Sequence, residues 1–300
     1  MKILLFGKGG QVGWELRRSL APLGELVALS TDSQDLCGDF TNLDGIVKTV
    51  RAVAPDIIVN AAAYTAVDKA ESEPDLSRTV NALAPGLLAE EAKRNGAWLI
   101  HYSTDYVFDG SGDKPWLETD LTGPLGVYGQ TKLEGEQAIR ATDCNHLIFR
   151  TSWVYAARGG NFAKTMLRLA KERDRLSVVN DQVGAPTGAD LLADVTAHAI
   201  RMAIQHPEVS GLYHLVAGGC VSWYDYARFV IDFSRQAGIE IKVAPEAIEP
   251  VPTSAFPTPA ARPKNSRLDT GKLQNSFSLT LPHWQSGVTH MLNEILEKQS

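Results

Sequence analysis

The sequence predicts an α/β protein, a doubly wound parallel sheet with helices on both faces, followed by a smaller, segmented C-terminal region. Three observations carry this expectation. The chain opens on a short apolar run, Lys2–Phe6, that passes straight into a glycine-rich turn and then a helix. Further short apolar runs, Glu25–Leu29, Asp56–Asn60, Trp98–Tyr102 and His146–Arg150, alternate with helical stretches. That βαβα alternation implies a parallel sheet. The stretch Tyr128-Gly129-Gln130-Thr131-Lys132 opens a helical segment through Ile139. Positions four apart share a helix face, so this phenol and this ammonium can enter one cleft.

The 300 residues suffice for one large or two moderate domains with a real core. A hydrophobic content of 44% and a charged content of 21% are those of an ordinary globular protein. The net charge of −6 argues against nucleic acid or an anionic membrane as partner. Cys37, Cys144 and Cys220 are odd in number and far apart, which suggests neither a disulfide framework nor a zinc site. The first apolar run breaks at Gly7, short of the ~7–15 apolar residues of a signal peptide. No run is long enough to span a membrane. A reducing, cytoplasmic setting is the expectation.

Taken in order, Lys2–Phe6 reads as a buried strand, and Gly7, Gly10 and Gly13, with Gln11 and Val12 between, precede a helix over Trp14–Leu20. A dinucleotide needs this spacing. The strand must turn sharply, the backbone must approach the diphosphate, and the helix must pack closely on the strand. Free amides at the helix N-terminus then hold the anion. After the second strand comes Ser30-Thr31-Asp32, with neither an Arg nor an acid immediately at the tip, so NADH and NADPH both remain open. Asp39, before Phe40, is either an acceptor for an adenine amino group or the cap of a helix over Thr41–Val53. The third strand ends in Asn60-Ala61-Ala62-Ala63-Tyr64-Thr65, where three alanines leave room for a flat ligand or simply pack closely. A long helix is expected over Asp75–Asn95, with Asn81 either facing solvent or joining a buried relay. The fourth strand, ending at Tyr102, leads to Ser103–Gly110 and sets Thr104 at the sheet edge.

In that frame Tyr128 is a candidate proton donor to a carbonyl oxygen. Lys132 beside it is expected to lower the phenol's pKa from ~10. Thr104 can donate to the same carbonyl oxygen.

Past the fifth strand the chain runs through Thr151-Ser152-Trp153-Val154-Tyr155. Helices are expected over Asn161–Arg173, Gly188–Ala203, Ser222–Gln236 and Leu281–Lys298, and strands over Leu176–Val179 and Gly211–Val216. Six prolines within 245–263 predict a stiff, extended loop that is neither helix nor central strand. Arg262, Lys264 and Arg267 beside it are cations that can meet a diphosphate or lie on a solvated face. The proposed division is 1–153 with about 188–216 as the nucleotide-binding domain, and 154–187 with 217–300 as the second domain.

Glycines 7, 10 and 13, Asn60–Ala63, Asn81, the hydroxyl ending the fourth strand and Tyr128/Lys132 fall in the order and spacing of the extended short-chain dehydrogenase/reductases, which the chain resembles. More narrowly it resembles the dTDP-4-dehydrorhamnose reductase family, in Phe6–Gly13, Asn60–Thr65 followed by Val67–Glu71, Ser103–Gly110, Arg150–Tyr155, Asp181–Thr187 and Arg262–Ser266. The resemblance covers nearly the whole chain. It implies a Rossmann-type domain and reduction by NADPH or NADH of the C4 keto group of dTDP-4-dehydrorhamnose, for bacterial surface polysaccharide such as lipopolysaccharide. By resemblance Tyr128, Lys132 and Thr104 are catalytic. Gly7, Gly10, Gln11, Val12, Gly13, Ser30, Asp39, Phe40, Ala62, Ala63, Tyr64, Thr65, Tyr102, Tyr128 and Lys132 hold cofactor. Thr104, Asp105, Tyr106, Tyr128 and Trp153 face the sugar nucleotide, with a domain anchor as the other reading of Trp153. Related 4,6-dehydratases carry Asp-Glu after that Thr; here Asp105 is followed by Tyr106, which disfavours dehydration. A sugar-nucleotide epimerase or dehydratase, or a non-catalytic regulatory subunit on this fold, are the alternatives. The resemblance further implies a homodimer and, for some members, Mg2+. Glu15, Asp190 and Glu294 are acids available near an interface, and the sequence assigns none of them as a ligand.

Overall fold

A six-stranded parallel sheet forms the centre of the computed structural model, which describes residues 1–297. Its strands are β1 (Lys2–Phe6), β2 (Glu25–Leu29), β3 (Ile57–Asn60), β4 (Trp98–Thr104), β5 (His146–Thr151) and β6 (Gly211–His214). They lie in the order β6-β5-β4-β3-β1-β2, every pair parallel. The principal helices are α1 (Gln11–Leu20), α2 (Leu43–Val53), α3 (Ala84–Asn95), α4 (Val127–Ala141), α5 (Phe162–Glu172), α6 (Ala189–Gln205), α7 (Trp223–Gln236) and α8 (Trp284–Glu297).

The strands are largely apolar because helices cover both faces. Alternate residues of β1 divide between two cores. Ile3 and Leu5 pack with Leu16 and Leu20 of α1 and Leu192 and Ile200 of α6. Leu4 and Phe6 pack with Ile46 and Val50 of α2, Leu88 of α3 and Ile139 of α4. The chain leaves β1 for β2 on one side and later returns as β3 on the other. In open α/β sheets such a switch opens a crevice at the carboxyl ends of the strands. A further core joins α5, α7 and α8 through Leu167, Val230, Val288 and Leu292. Met166, Ile231, Val178 and Ile248 extend that packing under a parallel pair of strands, Leu176–Val179 and Ile248–Val251.

Several elements differ from the sequence expectation. The helix expected over Asp75–Asn95 runs without a gap from Pro74, but it contains a π-helical turn at Thr79–Leu83 between Pro74–Arg78 and α3. Pro85, which has no N–H to donate, directly follows the π-helical turn, where the widened turn accommodates its ring. The helix over Thr41–Val53 starts at Leu43, and its cap is Asn42, which accepts from Gly45 N–H at 3.0 Å. Asp39 instead caps the preceding turn, accepting from Thr41 N–H and Oγ1 at 2.9 and 2.8 Å. The fifth strand is one residue longer than His146–Arg150. It stops at Thr151, and Val154–Tyr155 pairs with Thr187–Gly188 in a separate ladder. The proline-rich segment contains a real strand, Ile248–Val251, in a two-stranded ladder whose edge position accommodates Pro250. The last helix spans Trp284–Glu297, and Lys298 lies outside the described residues.

Candidate active site

The carboxyl ends of β1, β3, β4 and β5 open into one cleft of about 810 Å³. Gly9, Gly10, Gln11 and Val12 form one wall, Ala61, Ala63 and Thr65 another, and Thr104–Tyr106, Tyr128, Lys132 and Trp153 the far end. Gly7 turns the chain with φ +86°, and a Cβ on Gly13 would stand 2.0 Å from the Gly7 carbonyl oxygen. The helix therefore sits against the strand as closely as the glycine spacing predicts. Gly9 has open space where a side chain would be, and Gln11 Oε1 is buried with no hydrogen-bond partner. A cradle of backbone with an orphaned acceptor fits the diphosphate and ribose of a nicotinamide dinucleotide.

The alanine segment is extended, so its side chains alternate. Ala61, Ala63 and Thr65 face the cleft, while Ala62 packs into the core beneath α2 and α3. Tyr64 turns away too, its phenol donating to Glu73 at 2.5 Å. Asn81 holds this segment in place, accepting from Tyr64 N–H at 2.9 Å and donating to Tyr64 O at 3.1 Å. Its amide also meets Thr131 of α4 at 3.3 Å. Asn81 is thus the buried linker of three elements, the second of the two alternatives read from the sequence. Ser30 Oγ donates to Asp32 at 2.5 Å, and Ser33 accepts from Lys8 Nζ at 3.3 Å. Sequence reasoning missed Lys8, the cation that the glycine turn brings to the β2 tip; its place inside the motif was the available signal. The Phe40 ring is 3% exposed and packs edge-on against Phe6, 5.3 Å between centroids, so only its backbone can meet a ligand. The Tyr102 side chain likewise points into the core, bonded to Thr196 at 2.6 Å.

At the far end Thr104 Oγ1 donates to Asp105 Oδ1 at 3.1 Å and hydrogen-bonds the Tyr128 phenol. Asp105 is buried; burial pushes its carboxyl up to about 6, and hydrogen bonding from Ser266 and Thr104 opposes this. Oδ2 nevertheless lacks a well-formed hydrogen bond, which leaves burial dominant. Tyr128 corrects the sequence expectation. Its phenol is pushed up to about 12, not lowered, because burial dominates; the Thr104 hydrogen bond lowers it and the Asp105 charge raises it further. Lys132 points elsewhere, donating to the Tyr102 carbonyl at 2.5 Å and lying 3.2 Å from His101 Nε2. Burial pulls the Lys132 ammonium down to about 8, against the opposing charge of Glu136.

The helix carrying this pair is fixed from behind. Glu136 accepts two hydrogen bonds from Arg150 of β5, at 2.9 and 2.6 Å, and both side chains are buried. A Cβ on Gly129 would stand 2.1 Å from the Tyr106 carbonyl, so α4 lies directly on the Tyr106 backbone. The Tyr106 and Tyr128 rings meet edge-on at 5.6 Å. Trp153 has φ +49°, rare for a bulky residue, and its ring stacks on Trp223 at 3.5 Å. Of the three cations near the proline segment, Arg262 pairs with Asp68 at 2.8 Å, Lys264 with Asp181 at 3.1 Å, and Arg267 donates to Asn265 Oδ1 at 3.0 Å. Arg262 also borders a second cavity, beside Tyr106 and Trp223.

Glu15, Asp190 and Glu294 line a separate cavity, together with Arg18. Arg18 bridges Glu15 and Asp194, and among the described residues no three His, Cys, Asp or Glu side chains converge as a metal site. These residues do not fit a Mg2+ site within one chain, and no step is derived through a metal.

A family model described as RmlD substrate binding domain matches residues 1–297. The chain belongs to this family. It is 63% identical over 295 residues to the dTDP-4-dehydrorhamnose reductase of Escherichia coli strain K12, covering 98% of each chain. Among solved structures it matches a dTDP-4-dehydrorhamnose reductase of Clostridium acetobutylicum at 35% identity and TM-score 0.87, covering 99% of this chain and 100% of that one. It matches the Bacillus anthracis dTDP-4-dehydrorhamnose reductase, solved in complex with NADP, at 33% identity and TM-score 0.86, covering 98% and 99%. The chain is thus similar to RmlD-family oxidoreductases along its full length.

Proposed function

We propose that this RmlD-family chain is an NAD(P)H-dependent reductase of the C4 keto group of dTDP-4-dehydro-6-deoxy-L-mannose, yielding dTDP-L-rhamnose for surface polysaccharide. The observation that carries the reading is the junction of Thr104, Tyr128 and Lys132 with the glycine cradle in one cleft. The reduced nicotinamide, when bound, supplies the hydride. The protein supplies position and a proton. Gly10, Gln11 and Val12 hold the diphosphate. Lys132 reaches the nicotinamide end, and Lys8 beside Ser30 and Ser33 gives a 2′-phosphate a cation.

Tyr128 is a loaded acid. With its pKa near 12 it stays protonated at neutral pH, and an alkoxide is a far stronger base than a phenolate, so transfer remains downhill. Thr104 shares the phenol's hydrogen bond and can turn its own donor to the substrate oxygen, aligning the carbonyl. Asp105 and Tyr106 border the sugar, and Trp153 stacked on Trp223 forms the wall opposite. Tyr106 stands where an eliminating enzyme needs a second carboxylate, which favours reduction over dehydration.

We assign 1–153 with about 188–216 to cofactor binding, and 154–187 with 217–300 to the sugar nucleotide. The active form is a cytoplasmic homodimer. The test is loss of reduced-nicotinamide absorbance with NADPH or NADH and a dTDP-4-keto-6-deoxy sugar generated in place. Stoichiometric loss supports the reductase. A bound cofactor that is never consumed sinks it in favour of an epimerase, a dehydratase or a regulatory subunit.

A further inference from the structure

Behind Lys132 lies a buried polar pair that the reaction scheme leaves unused, His101 and Asn60. Asn60 Oδ1 accepts from Ala62 N–H at 3.0 Å, which fixes the orientation of the side-chain amide. The group turned to His101 is therefore the NH2, with Nδ2 3.0 Å from His101 Nδ1. Nδ1 must then be an acceptor. The ring is 1% exposed, and burial, with Lys132 nearby, holds its pKa well below the usual range, so it is neutral and carries one proton. That proton sits on Nε2, which lies 3.2 Å from Lys132 Nζ.

An ammonium has three donors and no acceptor, so a charged Lys132 faces His101 N–H with nothing to offer it. A neutral amine keeps a lone pair. It can accept from His101 while still donating to the Tyr102 carbonyl. We infer that His101, its proton fixed on Nε2 by Asn60, is a positioning residue that presents an N–H to Lys132 and favours the amine, so that Lys132 exchanges its proton in the working pH range.

The other groups facing Lys132 are consistent with this. Glu136, one turn along α4, favours the ammonium, but its carboxylate is taken by Arg150. Tyr128 on the same helix stays neutral, and the Tyr102 carbonyl accepts from either form of Lys132. The proton balance closes without His101 gaining or losing one. Tyr128 gives its proton to the substrate oxygen. The phenolate regains one from the Lys132 side of the cleft, the amine left behind accepts the His101 N–H, and Lys132 is recharged from solvent. His101 cannot pass a proton onward, because Asn60 blocks Nδ1 with a donor.

The inference rests on the reductase reading for its purpose but not for its test. In 15N-histidine-labelled protein, two-bond 1H–15N correlations report the tautomer of each ring without any substrate. His101 and His214 are the two fully buried histidines, and the structure gives them opposite tautomers, since His214 Nδ1 donates to the Trp116 carbonyl at 3.0 Å. One ring that does not titrate, protonated on Nε2 and lost in His101→Phe, is expected. Two such rings both protonated on Nδ1, or an imidazolium at neutral pH, would overturn the inference even if the reductase assay succeeds. In His101→Phe the basic limb of the kcat/KM profile should move up by about one pH unit as the amine loses its partner. Lower turnover with an unmoved limb would reduce His101 to a packing residue. If that variant does not fold, the tautomer pattern of the unmodified protein decides.

Discussion

At the scale of single residues, burial decides the chemistry more than pairing does. Tyr128 and Lys132 share a helix face, yet Tyr128 is bonded to Thr104 while Lys132 turns to the Tyr102 carbonyl and His101. Removing the phenolic proton donor should lower kcat by ~10²–10⁴-fold, the usual worth of a placed general acid. In Tyr128→Phe cofactor affinity, read by fluorescence titration, should change little; unaltered kcat would remove Tyr128 from the acid role. Asp105 gives a stability prediction with a definite sign. Its folded pKa of about 6 lies above an unfolded carboxyl's ~3.9, so the folded state binds the extra proton between those values. Its contribution is fully present below about pH 4 and is lost as pH rises through 6. Urea unfolding should therefore show Asp105→Asn gaining on the unmodified protein as pH rises from 4 to 7, by on the order of 2–3 kcal/mol. A difference independent of pH would count against a buried, raised Asp105.

At the scale of elements, α4 is held by contacts that no local pattern announces. Arg150 and Glu136 form a bidentate pair that is buried on both sides, with the guanidinium 5.0 Å over the Phe108 ring. Breaking one partner leaves a charge in an apolar setting, which typically costs ~3–5 kcal/mol. Arg150→Met should show that loss in urea unfolding, and the double variant Arg150→Met/Glu136→Leu should recover most of it. Equal losses in the single and double variants would mean that packing, not the unpaired carboxylate, sets the cost. The π-helical turn belongs to the same scale. It carries the buried Asn81, which grips both strands of hydrogen bonding at Tyr64 and touches Thr131 of α4. The loop after β3 and α4 are therefore fixed to one another.

At the scale of the whole molecule, the cleft is closed by residues far apart in the chain. Trp153, just past β5, stacks on Trp223, the first residue of α7, and Trp223 donates to Gln182 at 3.1 Å, which in turn reaches Thr253 at 3.1 Å. Trp223→Ala should raise KM for the sugar nucleotide several-fold while leaving KM for the cofactor unchanged; an equal rise in both would show that Trp223 supports the whole cleft. Much of this protein was legible without coordinates. The glycine spacing, the largely apolar strands and the Tyr128/Lys132 helix are local features, set by turn geometry, two-sided burial and helical periodicity, and they determined the fold class and marked the glycine turn and the Tyr128/Lys132 positions that meet in one cleft. Only the tertiary structure decided that Ala62, Tyr64, Phe40 and Tyr102 turn their side chains away from the cleft, that Asn42 rather than Asp39 caps α2, and that Arg262 and Lys264 are already paired. It also decided that burial raises the Tyr128 pKa and that His101 stands behind Lys132. Side-chain direction, desolvation and ion pairing depend on which distant segments close over a residue, and a linear pattern of residue types does not carry that information.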